Sequence, residues 1–595
     1  MPRTANPFPR SLRPTLGRVI LAVPVLFLLW MGWQHRWTTD DAFINFRIVK
    51  QLEHGHGLVF NIGDRVEAGT SPLWIFILAT LDKFLPITLE WIAALVALGS
   101  TVIGLRAAIA GTQRLIGGTK DATTWLFPIG ALIYVALPPV WDFATSGLES
   151  GLGVLWIGCS WLLLARHAAQ DAERPPSYWF PLLLSIGPLI RPDFAVITLV
   201  FLAGLLTMAG RQPGRLLRIA IVTLALPVAY EVFRAGYYGN LVPNTAIAKE
   251  GSSASWHQGW LYLRDLVGTY RLFLVVPAAL LVFGWSALRT YRRPQRHVRA
   301  AHRAGITCLA AGLLHGLLIV RVGGDFMHGR LLLPSLLLVL LPVFVVPVRD
   351  FLWVAATAVS AWAVLCVGTL RTPYATAKPV GRPPEAVDAI DPRSRIADER
   401  LVHLRMSGAR HPVALSSFRK HIWVQGGRFL AEIATADNPM LLLAGTSRAR
   451  LLSAPLPLRP EYSDSSVAYV GALGLLSYVA PRELRLLDRF GLSEPLSSHQ
   501  RRDALGRPGH EKDLPVSWII AAYTPPGTAL PNGVSDEDVR AARHALTCDS
   551  FPDLIKASQE PLTLGGFFSN IGRSFTLYRF RFPADPLAAE RELCP

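Results

Sequence analysis

Two adjacent carboxylates, Asp40 and Asp41, follow Trp37-Thr38-Thr39 and open the segment Ala42-Phe43-Ile44-Asn45-Phe46-Arg47. On a helix starting there, Asp41 and Asn45 share a face at i,i+4 while Asp40 points about 100° away, so the two acids have different surroundings and different tasks. One such carboxylate can take a proton from a hydroxyl while the other orients it or holds a cation. A plainer use competes: Thr39 or Asp40 caps a helix over 42–50. Other polar groups recur between apolar runs. Glu149 closes Thr145-Ser146-Gly147-Leu148, and Arg191-Pro192-Asp193 separates two apolar stretches. Asn240 and Asn244 flank Pro243 ahead of Lys249, and Gly323-Gly324-Asp325-Phe326-Met327-His328-Gly329-Arg330 precedes a further apolar run. Capping and pairing with Arg191 explain Glu149; for Asp193 that reading and a substrate contact stand equal. The two asparagines make good turn chemistry, and their amides also bind hydroxyls. No G-x-x-x-x-G-K-[ST] or G-x-G-x-x-G cradle is present, so neither ATP nor a soluble nucleotide is implied.

The elements that position these groups are membrane spans. The chain has 595 residues, 51% hydrophobic and 17% charged, with a mean hydropathy of +0.34, whereas a soluble protein carries about 25% charged residues. Its 59 Lys and Arg against 42 Asp and Glu give +17. Much of that excess lies in short loops between apolar runs, which is the positive-inside pattern and not a nucleic-acid footprint. Arg3, Arg10 and Arg13 precede the run Val19 to Trp33, which has no small-residue cleavage site before Asp40; this predicts an uncleaved first span with a cytoplasmic N-terminus. Further runs lie near 72–88, 90–110, 122–139, 147–165, 178–190, 193–209, 216–233, 271–288, 304–320, 331–347 and 351–370. The acid-free loops with Arg211, Arg215 and Arg218, and with Arg289, Arg292, Arg293, Arg296, Arg299 and Arg303, are cytoplasmic by the same rule. Working outward places 34–71, 191–193, 234–270, 321–330 and everything after about 371 on the far side, which holds every candidate polar residue. An odd number of crossings follows. We expect about eleven, with one run inside 72–110 failing to cross where Asp82 and Lys83 interrupt it.

Residues 1–371 are therefore read as a transmembrane domain, with 34–71 its first outer loop, and 372–595 as an extracytoplasmic mixed α/β domain. Trp518 to Tyr523 and Thr576 to Phe582 look strand-like, Val467 to Leu476 is too interrupted by glycine to assign, and 535–547 is helical. Three of the five cysteines fall in apolar runs, which leaves Cys548 and Cys594 as the pair able to bridge. Gly509-His510-Glu511-Lys512 lacks metal-ligand spacing and reads as a loop tying this domain to the membrane part. Asp488, Trp423 and Trp518 belong to a domain suited to glycan binding, although most tryptophans, Trp518 included, are core.

The string from Asp40-Asp41-Ala42-Phe43-Ile44 through Gly57-Leu58-Val59-Phe60-Asn61 and Gly63-Asp64-Arg65-Val66-Glu67 to Thr70-Ser71-Pro72-Leu73-Trp74 resembles the first periplasmic loop of C-type (GT-C) glycosyltransferases. These are integral membrane enzymes that take a sugar from a polyprenyl phosphate. Within that class, Tyr237 to Lys249, Gly323 to Arg330, Val470 to Gly474, Leu487 to Leu492 and Arg507 to Lys512 resemble the terminal β-(1→2)-arabinofuranosyltransferase family of mycolate-containing actinobacteria, over most of the chain. The resemblance implies a multi-pass plasma-membrane enzyme with a periplasmic C-terminal domain. Its donor would be decaprenyl-phospho-arabinofuranose and its acceptor the arabinan ends of arabinogalactan or lipoarabinomannan.

A lipid phosphate needs cations at the outer surface beside an apolar groove, which points to Arg330, His328 and Lys249. His328 also suits a general acid or a satisfied interfacial histidine, Lys249 a solvated loop, and Arg330 a helix-end salt bridge. Asp41, then Asp40, are the candidate catalytic carboxylates; Asp325, Asn45, Asn244, Asp193 and Glu149 bind or orient substrate. No cofactor is required, and a divalent cation is left open. Three alternatives remain: a mannosyl or other polyprenyl-phosphate sugar transferase, a lipid-linked sugar transporter and a glycan-binding scaffold.

Overall fold

The computed structural model describes residues 13–116, 125–169, 177–210, 212–251, 253–291, 296–348, 352–376, 389–434, 438–444, 453–502 and 507–594. Arg3, Arg10, Arg211, Arg292 and Arg293, on which part of the orientation reading rests, lie outside them, as do the side chains of Arg13, Arg289 and Arg296. Among the described residues, six helices are long and apolar enough to cross a membrane: Thr15–Gln34, Leu89–Ile116, Ser150–Ala168, Pro213–Tyr238, Arg299–Arg321 and Leu352–Thr369. Trp256–Thr269 and Leu272–Gly284, bent by 80°, make a seventh if they form one span. The expected eleven therefore exceeds what length and composition alone license. Pro72–Asp82, Trp179–Ile190, Phe194–Met208 and Arg330–Val343 are apolar but shorter.

Two runs expected to be single helices are broken, and proline is the reason in both. The run 122–139 becomes strand Trp125–Phe127 and helices Ile129–Val135 and Pro138–Asp142, interrupted by Pro128, Pro138 and Pro139. The run 331–347 becomes helix Leu333–Leu340, a 3-10 turn and strand Val346–Val348, with Pro334, Pro342 and Pro347 along it. The two strands pair antiparallel, Trp125 opposite Val348, and so satisfy backbone groups that the broken helices release. Elsewhere small residues draw helices together. A Cβ on Gly151 would stand 2.1 Å from the Ala97 carbonyl oxygen, and one on Gly158 the same distance from that of Gly104, so Leu89–Ile116 and Ser150–Ala168 touch backbone to backbone.

The C-terminal part is built on a four-stranded sheet in the order Leu456–Pro457, Met440–Leu443, Val467–Val470, Arg485–Asp488, parallel except for its first pair. Two secondary-structure expectations fail here. Val516–Tyr523 is a helix, because Trp-Ile-Ile-Ala-Ala-Tyr is apolar throughout and such a run carries no periodicity to separate strand from helix. Thr576 to Phe582 is the end of helix Leu564–Leu577 and one isolated bridge to Gln500. Val467–Val470, left unassigned, is a central strand, and helix Asp536–Ala545 lies within the span read as helical. Trp518 is core, packed on Phe551 and Phe582. Cys548 and Cys594 are joined, their Cα atoms 5.4 Å apart.

The first loop is built into this sheet-bearing part. Arg47, 1% exposed, donates to the carbonyls of Phe60 at 3.2 Å, Ser477 at 2.6 Å and Leu484 at 2.9 Å. The Asn61 amide exchanges two 3.0 Å hydrogen bonds with the backbone of Leu486 and so completes the sheet edge.

Candidate active site

Helix Asp40–Glu53 starts directly after the first span, with Thr39 as its N-cap residue but without a side-chain cap bond. The two acids part company at its first turn. The Asp40 carboxylate points into the C-terminal part, where it accepts the backbone N–H of Gly474 at 3.2 Å and of Leu475 at 2.6 Å. It therefore caps helix Gly474–Val479, a member of another segment, and not its own helix. Burial pushes its pKa up to about 7 against the opposing pull of His403 and the Leu475 amide. Asp41 turns the other way, into a cavity of about 550 Å³ that Ile44 and Asn45 also line. It is half-buried and forms no hydrogen bond or ion pair to another described residue. Burial raises its pKa, opposed by the charges of Arg330 and Lys249 and reinforced by Glu399 and Asp325.

The loops read as lying on one side do meet at this cavity. Glu149, Arg191 and Asp193 form one side: Arg191 donates to Glu149 at 2.8 Å and to Asp193 at 3.0 Å. Asp193 also pairs with the buried His315 at 2.8 Å, whose other ring nitrogen meets Ser335 Oγ at 2.7 Å. A chain of polar groups thus runs from the bundle core to the cavity wall and holds the Arg191 guanidinium in place. Arg330 forms the next stretch; its Nε donates to Asp325 at 2.7 Å, and Asp325 in turn accepts the N–H of Phe326. That carboxylate and the charge of Asp41 outweigh the effect of burial and raise the Arg330 pKa, so the guanidinium stays charged. Lys249 lines the cavity from the loop after helix Asn244–Ala248, with its stem over Gly509. Trp256, Leu318, Ile319, Val322 and Leu331 supply an apolar wall.

Besides Asp40, two candidates do not line the cavity. His328 lies on the far side of its loop, where Nδ1 meets Asp265 and Nε2 meets the Tyr270 hydroxyl at 2.9 Å. His328 and Arg330, grouped in the sequence as cations for one phosphate, part because Gly329 adopts φ +69° and turns the chain between them. Burial pulls the His328 pKa down, but Asp265 reverses this and raises it. Asn244 is a strut: its amide donates to the carbonyls of Gly491 at 2.7 Å and Leu492 at 3.2 Å and accepts from Ser498 at 2.8 Å.

The sequence reading missed the C-terminal part's own share of the wall, which includes Leu492, Arg502, Pro508, Gly509 and Glu511. Glu511 carries a buried oxygen with no hydrogen-bond partner. Lys512, next to it, is buried and holds the Lys249 loop by bonding Glu250 at 2.6 Å and the Ile247 carbonyl at 3.0 Å. No spacing signal marks Arg502 or Glu511. His315 was visible as the one histidine inside the apolar run 304–320. Asp488 accepts the N–H groups of Phe490 and Leu492 and shapes its own turn. His544, Cys548 and Cys594 lie close together, but both sulfurs are committed to the disulfide and the trio is no metal site.

A helical bundle that gathers half-buried arginines and an unpaired carboxylate around one cavity with an apolar wall has an enzyme's architecture, and relatives supply the class: the protein is a membrane-embedded glycosyltransferase. Residues 459–590 match the AftB family C-terminal domain. A Mycobacterium tuberculosis protein named terminal beta-(1->2)-arabinofuranosyltransferase is 31% identical over 630 residues, covering 96% of this chain and 96% of its own. A Corynebacterium glutamicum protein of the same name is 31% identical over 601 residues, covering 93% of this chain and 84% of its own. The chain belongs to the terminal β-(1→2)-arabinofuranosyltransferase family. No solved structure matches it.

Proposed function

We propose that the protein transfers arabinofuranose from decaprenyl-phospho-arabinofuranose to the non-reducing ends of cell-wall arabinan, in arabinogalactan or lipoarabinomannan, forming the β-(1→2) linkage. The observation that carries this reading is the unpaired Asp41, which shares one cavity with Arg330 and Lys249 beside an apolar wall. Arg330, held by Asp325, and Lys249 bind the donor phosphate, and Trp256, Leu318, Ile319 and Val322 guide the first isoprene units. Asp41 accepts the proton of the acceptor hydroxyl as its oxygen bonds the anomeric carbon; the lipid phosphate leaves in that step on a same-face route and in the preceding step on a two-displacement route. Its raised pKa makes it a stronger base than a solvated aspartate. Donor and product in this family reading are both β-linked, so net retention is required, through two displacements or a same-face route.

The active site lies on the periplasmic face of the plasma membrane in this reading, with the N-terminus cytoplasmic and eleven crossings. Residues 1–371 form the catalytic membrane domain and 372–595 a periplasmic domain that completes the acceptor side. The test is purified protein in nanodiscs with synthetic decaprenyl-phospho-arabinofuranose and an arabinan oligosaccharide, followed by linkage analysis. A new terminal β-(1→2) arabinofuranose supports the proposal; no product, or product of another sugar donor only, refutes it.

A further inference from the structure

Helix Leu564–Leu577 of the C-terminal part is built inside out for a water-facing helix. Leu564, Phe568 and Phe575 are 83%, 68% and 62% exposed, while Asn570 and Ser574 are 2% and 0% exposed. At about 100° per residue, Leu564, Phe568, Ile571 and Phe575 fall within an arc of about 60°, a continuous apolar stripe. Asn570 and Ser574 face the protein instead, where the Asn570 amide donates to the Gly236 carbonyl at 3.1 Å.

The helix packs against the last turns of the membrane helix Pro213–Tyr238. The Phe567 ring sits over Gly236, where an added Cβ would come within 2.3 Å of it. On that membrane helix Val228 and Val232 are 57% and 50% exposed, as lipid-facing residues are. The helix that carries the stripe is thus packed on a helix whose own exposed residues are apolar. At its C-terminal end Arg579 lies over the Tyr578 ring at 5.0 Å, an aromatic and cationic pair suited to head-group level.

We propose that helix Leu564–Leu577 is an interfacial membrane anchor: it lies flat in the leaflet on the C-terminal domain's side, with Leu564, Phe568 and Phe575 among the acyl chains. Fourteen residues span about 21 Å, enough to lie along the surface and too short to cross it. The anchor fixes the height of the C-terminal domain and keeps Arg502 and Glu511 level with the lipid head groups.

The test uses full-length protein in nanodiscs with a bimane label on Phe568→Cys, a second at the exposed Glu537→Cys in the first turn of helix Asp536–Ala545, and label-treated wild type as background. Lipids carrying a nitroxide high on the acyl chain are expected to quench the label at 568 several-fold more than that at 537, with iodide in the reverse order. Equal access of iodide to both sites overturns the proposal. Shielding from iodide without lipid quenching also overturns it, since a second protein chain would then cover the stripe. Should Phe568→Cys fail to fold, Leu564→Cys gives the same readout from the same face.

Discussion

The carboxylate of Asp40 receives the backbone N–H of Leu475 at 2.6 Å, across 435 residues of sequence. This bond divides the labour between two neighbouring acids: one joins the two halves of the protein, and the other faces the cavity.

Asp41→Asn is expected to keep the wild-type melting temperature and to lose transfer by roughly 10²–10⁴-fold, the usual cost of removing a general base. Radiolabelled donor and a thin-layer assay measure it. Activity within about tenfold of wild type would exclude Asp41 as the base.

For Asp40 the sign of the pH effect is fixed by its raised pKa. A carboxyl that holds its proton up to about pH 7 in the folded protein, but only to about 3.9 when unfolded, contributes stability that is fully present below the lower value and is lost as pH rises through the upper one. Asp40→Asn removes that loss and gives up one amide acceptor, worth about 0.5–1.5 kcal/mol. Its melting temperature should lie below wild type at pH 6 and approach or pass it by pH 8.5. A constant difference across that range would show that Asp40 does not titrate there.

Arg330→Ala should weaken binding of a non-hydrolysable lipid-phosphate donor by tenfold or more while leaving acceptor binding nearly unchanged. Arg330→Lys restores only part, because lysine lacks the fork that bonds Asp325 and a phosphate together. Calorimetry in nanodiscs separates the two affinities, and an equal loss in both would make Arg330 a structural helix-end residue.

Glu511 lines the cavity from the C-terminal side and carries a buried oxygen without a hydrogen-bond partner. Glu511→Gln should raise KM for the arabinan acceptor about tenfold, the equivalent of one lost charged hydrogen bond, with donor KM unchanged. Steady-state kinetics with each substrate varied in turn decide it.

How much of this could be read in advance depends on how local each feature is. The i,i+4 spacing of Asp41 and Asn45 suffices to put both on one helix face, because a helix sets that geometry by itself. His328 and Arg330 were grouped by charge and closeness in sequence, which do not fix a loop's path, and a left-handed glycine between them turns it. Arg47 looks like an ordinary helix-surface arginine in sequence, since partners such as Ser477 lie 430 residues away. The strand Val467–Val470 was obscured by the glycines that follow it, and helix Val516–Tyr523 by its uniform apolarity.

The dependence of Arg47 and Asn61 on Ser477, Leu484 and Leu486 has a temporal side. A ribosome delivers the first loop long before the residues that satisfy it, so during synthesis the Arg47 guanidinium must stay hydrated and the loop open. The site can close only when the strand ending at Asp488 arrives. A chain truncated before that strand would leave a charge without its acceptors at a membrane surface, and quality-control proteases would meet it as an unfinished protein.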